Sequence, residues 1–166
     1  SSSMDHQMIK SGRGNYELCG IQFNKETKKL LNFDEYWESC GEWYETHSIT
    51  KEIFSEFWLN YGFKKGDILV VWGRFTPKIG DVIIFKPNIG SRAPRPIVHG
   101  IVMIQNSTYG TKGDHNEFQL VKSNNLYYTD ETSIKQDQII GKVIFRIPFL
   151  GWIKIWFTEI FQIFFK

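Results

Sequence analysis

Two Gly-Asp dipeptides, Gly66-Asp67 and Gly80-Asp81, each open onto a run of bulky apolar residues. The first feeds Ile68-Leu69-Val70-Val71-Trp72 and the second, fourteen residues later, feeds Val82-Ile83-Ile84-Phe85. Glycine reaches backbone angles closed to other residues, and an aspartate side chain bonds nearby backbone, so the dipeptide supplies a turn. A β-branched run directly after such a turn is a strand signal. The repeat therefore commits the centre of the chain to antiparallel sheet. Residues 73–78 are expected to join these two strands as a neighbouring pair. Residues 86–96 hold three of the five prolines and read as loop. A third strand follows over 97–105, a short fourth over 108–112, and a fifth over 138–147 that stops before Pro148.

Residues 5–62 differ in character. Asp34, Glu35, Glu38 and Glu42 alternate with Tyr36, Trp37 and Trp43, which predicts a helix over 34–46 with one wet and one buried face. Ile53, Phe54, Phe57 and Trp58 predict a second helix over 50–61, with Thr50 as N-cap and Gly62 as C-cap. At the other end, Ile153, Trp156, Phe157, Ile160, Phe161 and Phe164 form the stripe of an amphipathic helix. Packing on the domain's own core and lying at a membrane surface are both open to it. Nothing in the chain approaches the roughly 18 uninterrupted apolar residues of a membrane span.

The chain of 166 residues is 42% hydrophobic and 16% aromatic, enough for a core of its own. A net charge of +2 argues against a nucleic-acid partner. Cys19 and Cys40 lack metal-ligand spacing, so no metal is expected; a single disulfide and two buried thiols are both compatible with them. Nothing calls for a cofactor. His6, His47 and His115 read as surface groups.

Chemistry concentrates in three residue types. A serine hydroxyl needs a base to take its proton, and a histidine base needs a carboxylate to fix its tautomer. Ser3, His99 and Asp114 supply these types. If Asn106-Ser107 are the central residues of a tight hairpin, cross-strand partners sum to 213, and His99 faces Asp114. The same residues open the sequon Asn106-Ser107-Thr108, which a tight turn accounts for without a glycan.

Several strings, in order, resemble signal peptidase I of the archaeal and endoplasmic-reticulum type. They are Ser1-Ser2-Ser3-Met4, Gly66-Asp67-Ile68-Leu69, Gly80-Asp81-Val82-Ile83, Pro96-Ile97-Val98-His99, Thr111-Lys112-Gly113-Asp114-His115-Asn116, Gly141-Lys142-Val143 and Ile147-Pro148-Phe149-Leu150-Gly151. The resemblance covers residues 1–4 and about 63–156. It implies a mainly β, antiparallel signal-peptidase-like domain over 63–152. Residues 1–4 then follow a membrane anchor missing from this chain, 5–62 form a partly helical insertion, and 153–166 form the amphipathic terminal helix.

The resemblance further implies a membrane-anchored serine endopeptidase on the extracytoplasmic side, which removes signal peptides from preproteins after small residues through an acyl-enzyme. Ser3 resembles the nucleophile, His99 the general base and Asp114 its acidic support. The Ser3 backbone N–H, with Ser1 or Ser2, is implied to hold the oxyanion. A second acidic residue belongs downstream of Lys-Gly-Asp; position 120 is Leu120, and Asp130 is the nearest acidic candidate. An extended substrate is expected along a strand edge, at Ile68 and Val70 or at Val82 and Ile84. Signal peptides and membrane lipid are the partners implied, with accessory subunits left open. The chain departs from the family where Asp5-His6 replaces a proline and Gly100 replaces an arginine. A non-catalytic β binding module and a self-cleaving repressor-type peptidase are the alternatives.

Overall fold

A computed structural model describes residues 4–6, 9–10, 16–23, 31–88, 95–121 and 129–151. A three-stranded antiparallel sheet comprises β1 (Ile9–Lys10), β2 (Tyr16–Leu18) and β3 (Ile21–Phe23). Two helices follow, α1 (Phe33–Thr46) and α2 (Lys51–Ser55). The remaining strands are β4 (Ile68–Trp72), β5 (Val82–Phe85), β6 (Ile97–Gln105), β7 (Thr108–Lys112), β8 (Ile134–Lys135) and β9 (Ile139–Ile147). They form one antiparallel sheet in the order β4-β9-β5-β6-β7-β8. The mainly β expectation is met. The expected terminal helix lies outside the described residues.

The two Gly-Asp turns are built alike. Gly66 and Gly80 have φ of 98° and 88°, and Asp67 and Asp81 each accept a backbone N–H from the lysine three residues back, at 2.9 and 3.0 Å. Each carboxylate also faces a cation on β9: Asp81 meets Lys142 at 2.6 Å, and Asp67 meets Arg146 at 3.8 Å. The Pro148 corner closes on the first turn, with Gly151 N–H donating to the Gly66 carbonyl at 2.8 Å. A Cβ at 151 would sit 2.7 Å from that carbonyl oxygen, so only glycine fits there.

The strands after those turns are not a neighbouring pair. β9 lies between them, so that Lys142 is opposite both Trp72 and Ile83. The connection is drawn the other way: Gly80 N–H donates to the Ile101 carbonyl and Ile101 N–H to the Asp81 carbonyl, both at 2.8 Å, which seats β5 against β6. That leaves the other edge of β5 open for β9. Gly141 permits β4 to crowd in, since a Cβ there would fall 2.6 Å from Val71 Cγ1. Ile144 and Ile140 are extra residues in the β9 pairings with β4 and β5, and such bulges bend a sheet.

α1 begins at a capping box. Asn32 Oδ1 accepts the Glu35 N–H at 2.9 Å, and Glu35 Oε2 accepts the Asn32 N–H at 3.0 Å. The second helix ends earlier than its apolar spacing predicts. Trp58 N–H bonds the Gly80 carbonyl rather than the carbonyl four residues back, and Leu59 has a φ of 61°. The β5 turn thus competes for the helix backbone and wins.

Both helices pack on one face of the large sheet. Tyr36, Trp37, Cys40, Tyr44 and Phe54 form a cluster with Val102 of β6. Each such side chain contributes about 1.5–3 kcal/mol by burial, so the helical segment shares a core with the sheet. A Cys19–Cys40 disulfide ties the β2–β3 turn to α1, resolving the open alternative. The opposite sheet face buries Ile83, Phe85, Ile101, Tyr109 and Ile134. The three-stranded sheet was not foreseen, because strands of two or three residues are too short to show alternation.

Candidate active site

His99 lies on β6 directly opposite Ile83, so it points to the Ile83–Phe85–Ile101 face and is 2% exposed. Its Nδ1 is hydrogen-bonded to Glu131 Oε1. Glu131 is fully buried, and donors occupy both of its oxygens. Thr111 Oγ1 donates to Oε1 at 3.1 Å, and Leu120 N–H donates to Oε2 at 2.8 Å. Its backbone is pinned as well, accepting the Thr111 N–H at 2.8 Å and donating to the Leu120 carbonyl at 2.7 Å. A carboxylate gripped this way holds the proton on Nδ1 and makes Nε2 the basic nitrogen.

The expected His99–Asp114 opposition is not found, and one residue accounts for it. Asn106 and Ser107 have φ of 46° and 63°, as a type I′ turn requires, and pairs near the turn sum to 213. Val102 then bulges, and beyond it Gly100 pairs with Lys112, which sums to 212. Continuing that register sets residue 113 across from His99. A slip of one turns Asp114 to the opposite face.

There Asp114 has a histidine of its own. Its Oδ2 lies 2.9 Å from His6 Nε2, and its Oδ1 accepts from Tyr44 Oη at 3.3 Å. Its carbonyl accepts from Tyr36 Oη at 2.9 Å. The His6 ring stacks on Tyr36 at 3.7 Å and is 2% exposed, so His6 is no surface group. His47 is exposed and His115 half-buried. Lys112 is also buried on this side, its ammonium 4.6 Å from the Tyr44 ring and 5.2 Å from the Trp43 ring. Burial pushes its pKa down to about 8, against the pull of Asp114 and Glu131. Burial likewise holds the Tyr36 and Tyr44 hydroxyls protonated well above their usual range.

Asp130 bonds within its own loop, while Glu131 is the acid hydrogen-bonded to His99 Nδ1. Asp130 Oδ1 bonds Thr132 N–H at 3.0 Å and Thr132 Oγ1 at 2.6 Å. Glu131, one residue on, is the acid that sequence reasoning missed. Its signal was present but weak: an acidic pair, Asp130-Glu131, thirty-two residues from His99 at the glutamate. Leu120 stands at the place where a second acid was expected, and its backbone N–H binds the Glu131 carboxylate.

Ser1, Ser2 and Ser3 lie outside the described residues. Their neighbour Met4 is 1% exposed, packed with Phe63, Val82 and Val143. Of the four expected substrate contacts, Ile68 and Val70 lie on β4, an edge strand, and both are exposed. Val82 and Ile84 lie on β5, which is paired on both sides, so β5 offers no strand edge. Among the described residues no cluster of His, Cys, Asp and Glu has the geometry to hold a metal ion. Among them, too, no helix is long and apolar enough to cross a membrane.

The chain is similar to the signal peptidase complex catalytic subunit SEC11 of Saccharomyces cerevisiae strains YJM789, RM11-1a and JAY291. Each match is 33% identical over 106 residues, covering 58% of this chain and 59% of the relative. The chain thus spans less than two thirds of the length of these relatives. No family model matches, and no solved structure matches.

Proposed function

We propose that this chain, whose resemblance to signal peptidase I of the endoplasmic-reticulum and archaeal type is borne out by the SEC11 matches, carries the catalytic β domain of a serine endopeptidase that removes signal peptides. The observation that carries the reading is the buried His99–Glu131 pair, an imidazole oriented for base work by a carboxylate. In this reading Ser3 is the nucleophile. His99 Nε2 takes the Ser3 hydroxyl proton as Oγ attacks the carbonyl after a small residue. The imidazolium then protonates the departing amine and the acyl-enzyme forms. His99 next takes a proton from water as the water oxygen attacks the acyl carbon, and the imidazolium returns that proton to Ser3 Oγ as the Oγ–carbon bond breaks and the product leaves as a carboxylate.

Glu131 stabilises the imidazolium in both halves, the role first expected of Asp114. The Ser3 N–H, with the Ser1 or Ser2 hydroxyl, holds the oxyanion. The edge of β4 that no described strand pairs is the one to which an extended substrate adds, with Ile68 and Val70 lining its path. The Cys19–Cys40 disulfide supports an extracytoplasmic, oxidising location, because reducing compartments keep thiols free. Membrane attachment and partner subunits belong to the same reading, by analogy with a complex subunit.

Replacement of Ser3 by Ala or of His99 by Ala is expected to abolish cleavage of a preprotein in detergent–lipid micelles. Normal turnover by either folded variant sinks the assignment.

A further inference from the structure

The segment just after Ser3 is held down without joining any sheet. Met4 buries its side chain and accepts the Phe63 N–H at 2.9 Å. The Asp5 carbonyl accepts from His115 Nδ1 at 3.2 Å. His6 accepts the Leu31 N–H at 3.4 Å, stacks on Tyr36, and meets Asp114 at 2.9 Å. Gly62, at φ 66°, makes the close approach possible: a Cβ there would lie 2.1 Å from the Met4 carbonyl oxygen and 2.9 Å from His6 Cδ2. The side chain-to-side chain hydrogen bond among these contacts is His6–Asp114, and it is almost entirely buried.

The hairpin β6–β7 therefore has a histidine–carboxylate pair on each face. His99–Glu131 sits on one, and His6–Asp114 on the other. Asp114 follows β7 by two residues and lies in the loop that also bonds α1 and the N-terminal segment.

We propose that His6 and Asp114 are positioning residues that latch the chain three residues past the nucleophile, fixing the reach of Ser3 toward His99. The proposal rests on Ser3 being the nucleophile. Physically, Met4 and His6 are tied two peptide bonds apart, which fixes both the position and the direction of the chain at Met4. A latch only at Met4 would rest on a single backbone hydrogen bond and an apolar contact, and the latter is non-directional. The His6–Asp114 hydrogen bond and the flat stack on Tyr36 add direction. Misplacement of a nucleophile by about 1 Å costs on the order of 10²-fold in rate.

The test uses the full-length protein in detergent–lipid micelles and a preprotein-derived peptide as substrate, with kcat and KM measured separately. His6→Ala should lower kcat about 10- to 100-fold with KM within about twofold, because the substrate edge is untouched. His6→Gln keeps a donor at the same reach and should recover kcat to within about fivefold of the parent. Asp114→Asn should cost kcat alone, and the His6→Ala/Asp114→Asn double variant should be no slower than the worse single, as for one shared contact. A folded His6→Ala with parental kcat overturns the latch, and so do fully additive effects. If His6→Ala does not fold, Asp114→Asn and the His6→Gln/Asp114→Asn double variant carry the same comparison. Ser3→Ala is read alongside: activity surviving there removes the nucleophile assignment itself, whereas a dead Ser3→Ala beside unchanged His6 variants removes only the latch.

Discussion

Changing Glu131 to Gln separates the two carboxylates near β7 more sharply than any other substitution. The side chain keeps its shape but exchanges one oxygen for an NH2 group. Three donors now point at Glu131: His99 Nδ1, Thr111 Oγ1 and Leu120 N–H. With the amide oxygen at the Oε1 position, the NH2 is driven against the Leu120 N–H, and one buried donor loses its partner at a cost of about 1–3 kcal/mol. With the amide oxygen at the Oε2 position, Leu120 is satisfied. The NH2 then donates to the Thr111 hydroxyl and to a His99 that carries its proton on Nε2. Only the Thr111 hydroxyl must then turn its proton elsewhere, which a rotatable O–H can do and the fixed Leu120 N–H cannot, so the second arrangement is favoured.

In the proposed mechanism, it also places the imidazole in the tautomer that cannot accept the Ser3 proton. A carboxylate-to-amide change behind a catalytic histidine lowers kcat by about 10⁴. At 1.36 kcal/mol per tenfold, the expected loss of about 10³–10⁴ corresponds to roughly 4–5.5 kcal/mol of barrier. Stability should fall far less, since packing is unchanged. The assay is kcat on a preprotein-derived peptide, with thermal unfolding as a control and nitrogen NMR of His99 to read its tautomer. A folded Glu131→Gln enzyme within about tenfold of the parent kcat would refute the reasoning. So would a His99 that keeps its proton on Nδ1. Asp114→Asn, by contrast, should cost only about tenfold, through positioning.

Three further outcomes are expected. Replacing both Cys19 and Cys40 by Ser removes a cross-link over a sequence separation of 21, worth about 3 kcal/mol; unfolding should move down by roughly 6–12 °C, and an unchanged midpoint would deny the bridge a structural role. Lys112 gives up its proton near about 8 when folded and near 10.5 when unfolded, because burial disfavours the ammonium. Between those values the unfolded chain binds the extra proton, so stability rises with pH. The stability of the parent relative to Lys112→Met, measured by urea unfolding, should therefore climb from pH 8 to about 10; a flat difference would show the ammonium is not penalised. Gly62→Ala should destabilise by at least about 1–2 kcal/mol, from its left-handed backbone and the Met4 carbonyl in its way. A neutral Gly62→Ala in thermal unfolding would mean that the N-terminal segment does not lie against it.

The strands were legible because their signals are local. A turn dipeptide followed by β-branched residues needs no distant partner to be recognised, and the 97–105, 108–112 and 139–147 strands fell where the spacing put them. The Asn106-Ser107 turn was legible for the same reason. Strand order was not, because the nine-residue β9 fits the open edges of both β4 and β5, and only the bonds from Gly80 and Ile101 decide where it goes. The length of α2 was misread because Trp58 N–H found the Gly80 carbonyl, an acceptor that no helical periodicity describes.

The candidate site divides along the same line. His99 was singled out as a candidate by sequence alone, as the one histidine inside both a strand pattern and a family-like string. So was the presence of a carboxylate just beyond β7. Which carboxylate serves which histidine was a tertiary decision. It turned on Val102, a single bulged residue that shifts the register from 213 to 212 and carries Asp114 to the helix-covered face. There His6 takes it, and Glu131 arrives from a later loop to fill the place that Leu120 leaves empty of acid. Side chains alternate faces with every residue, so one inserted position is enough to exchange the partners of two histidines.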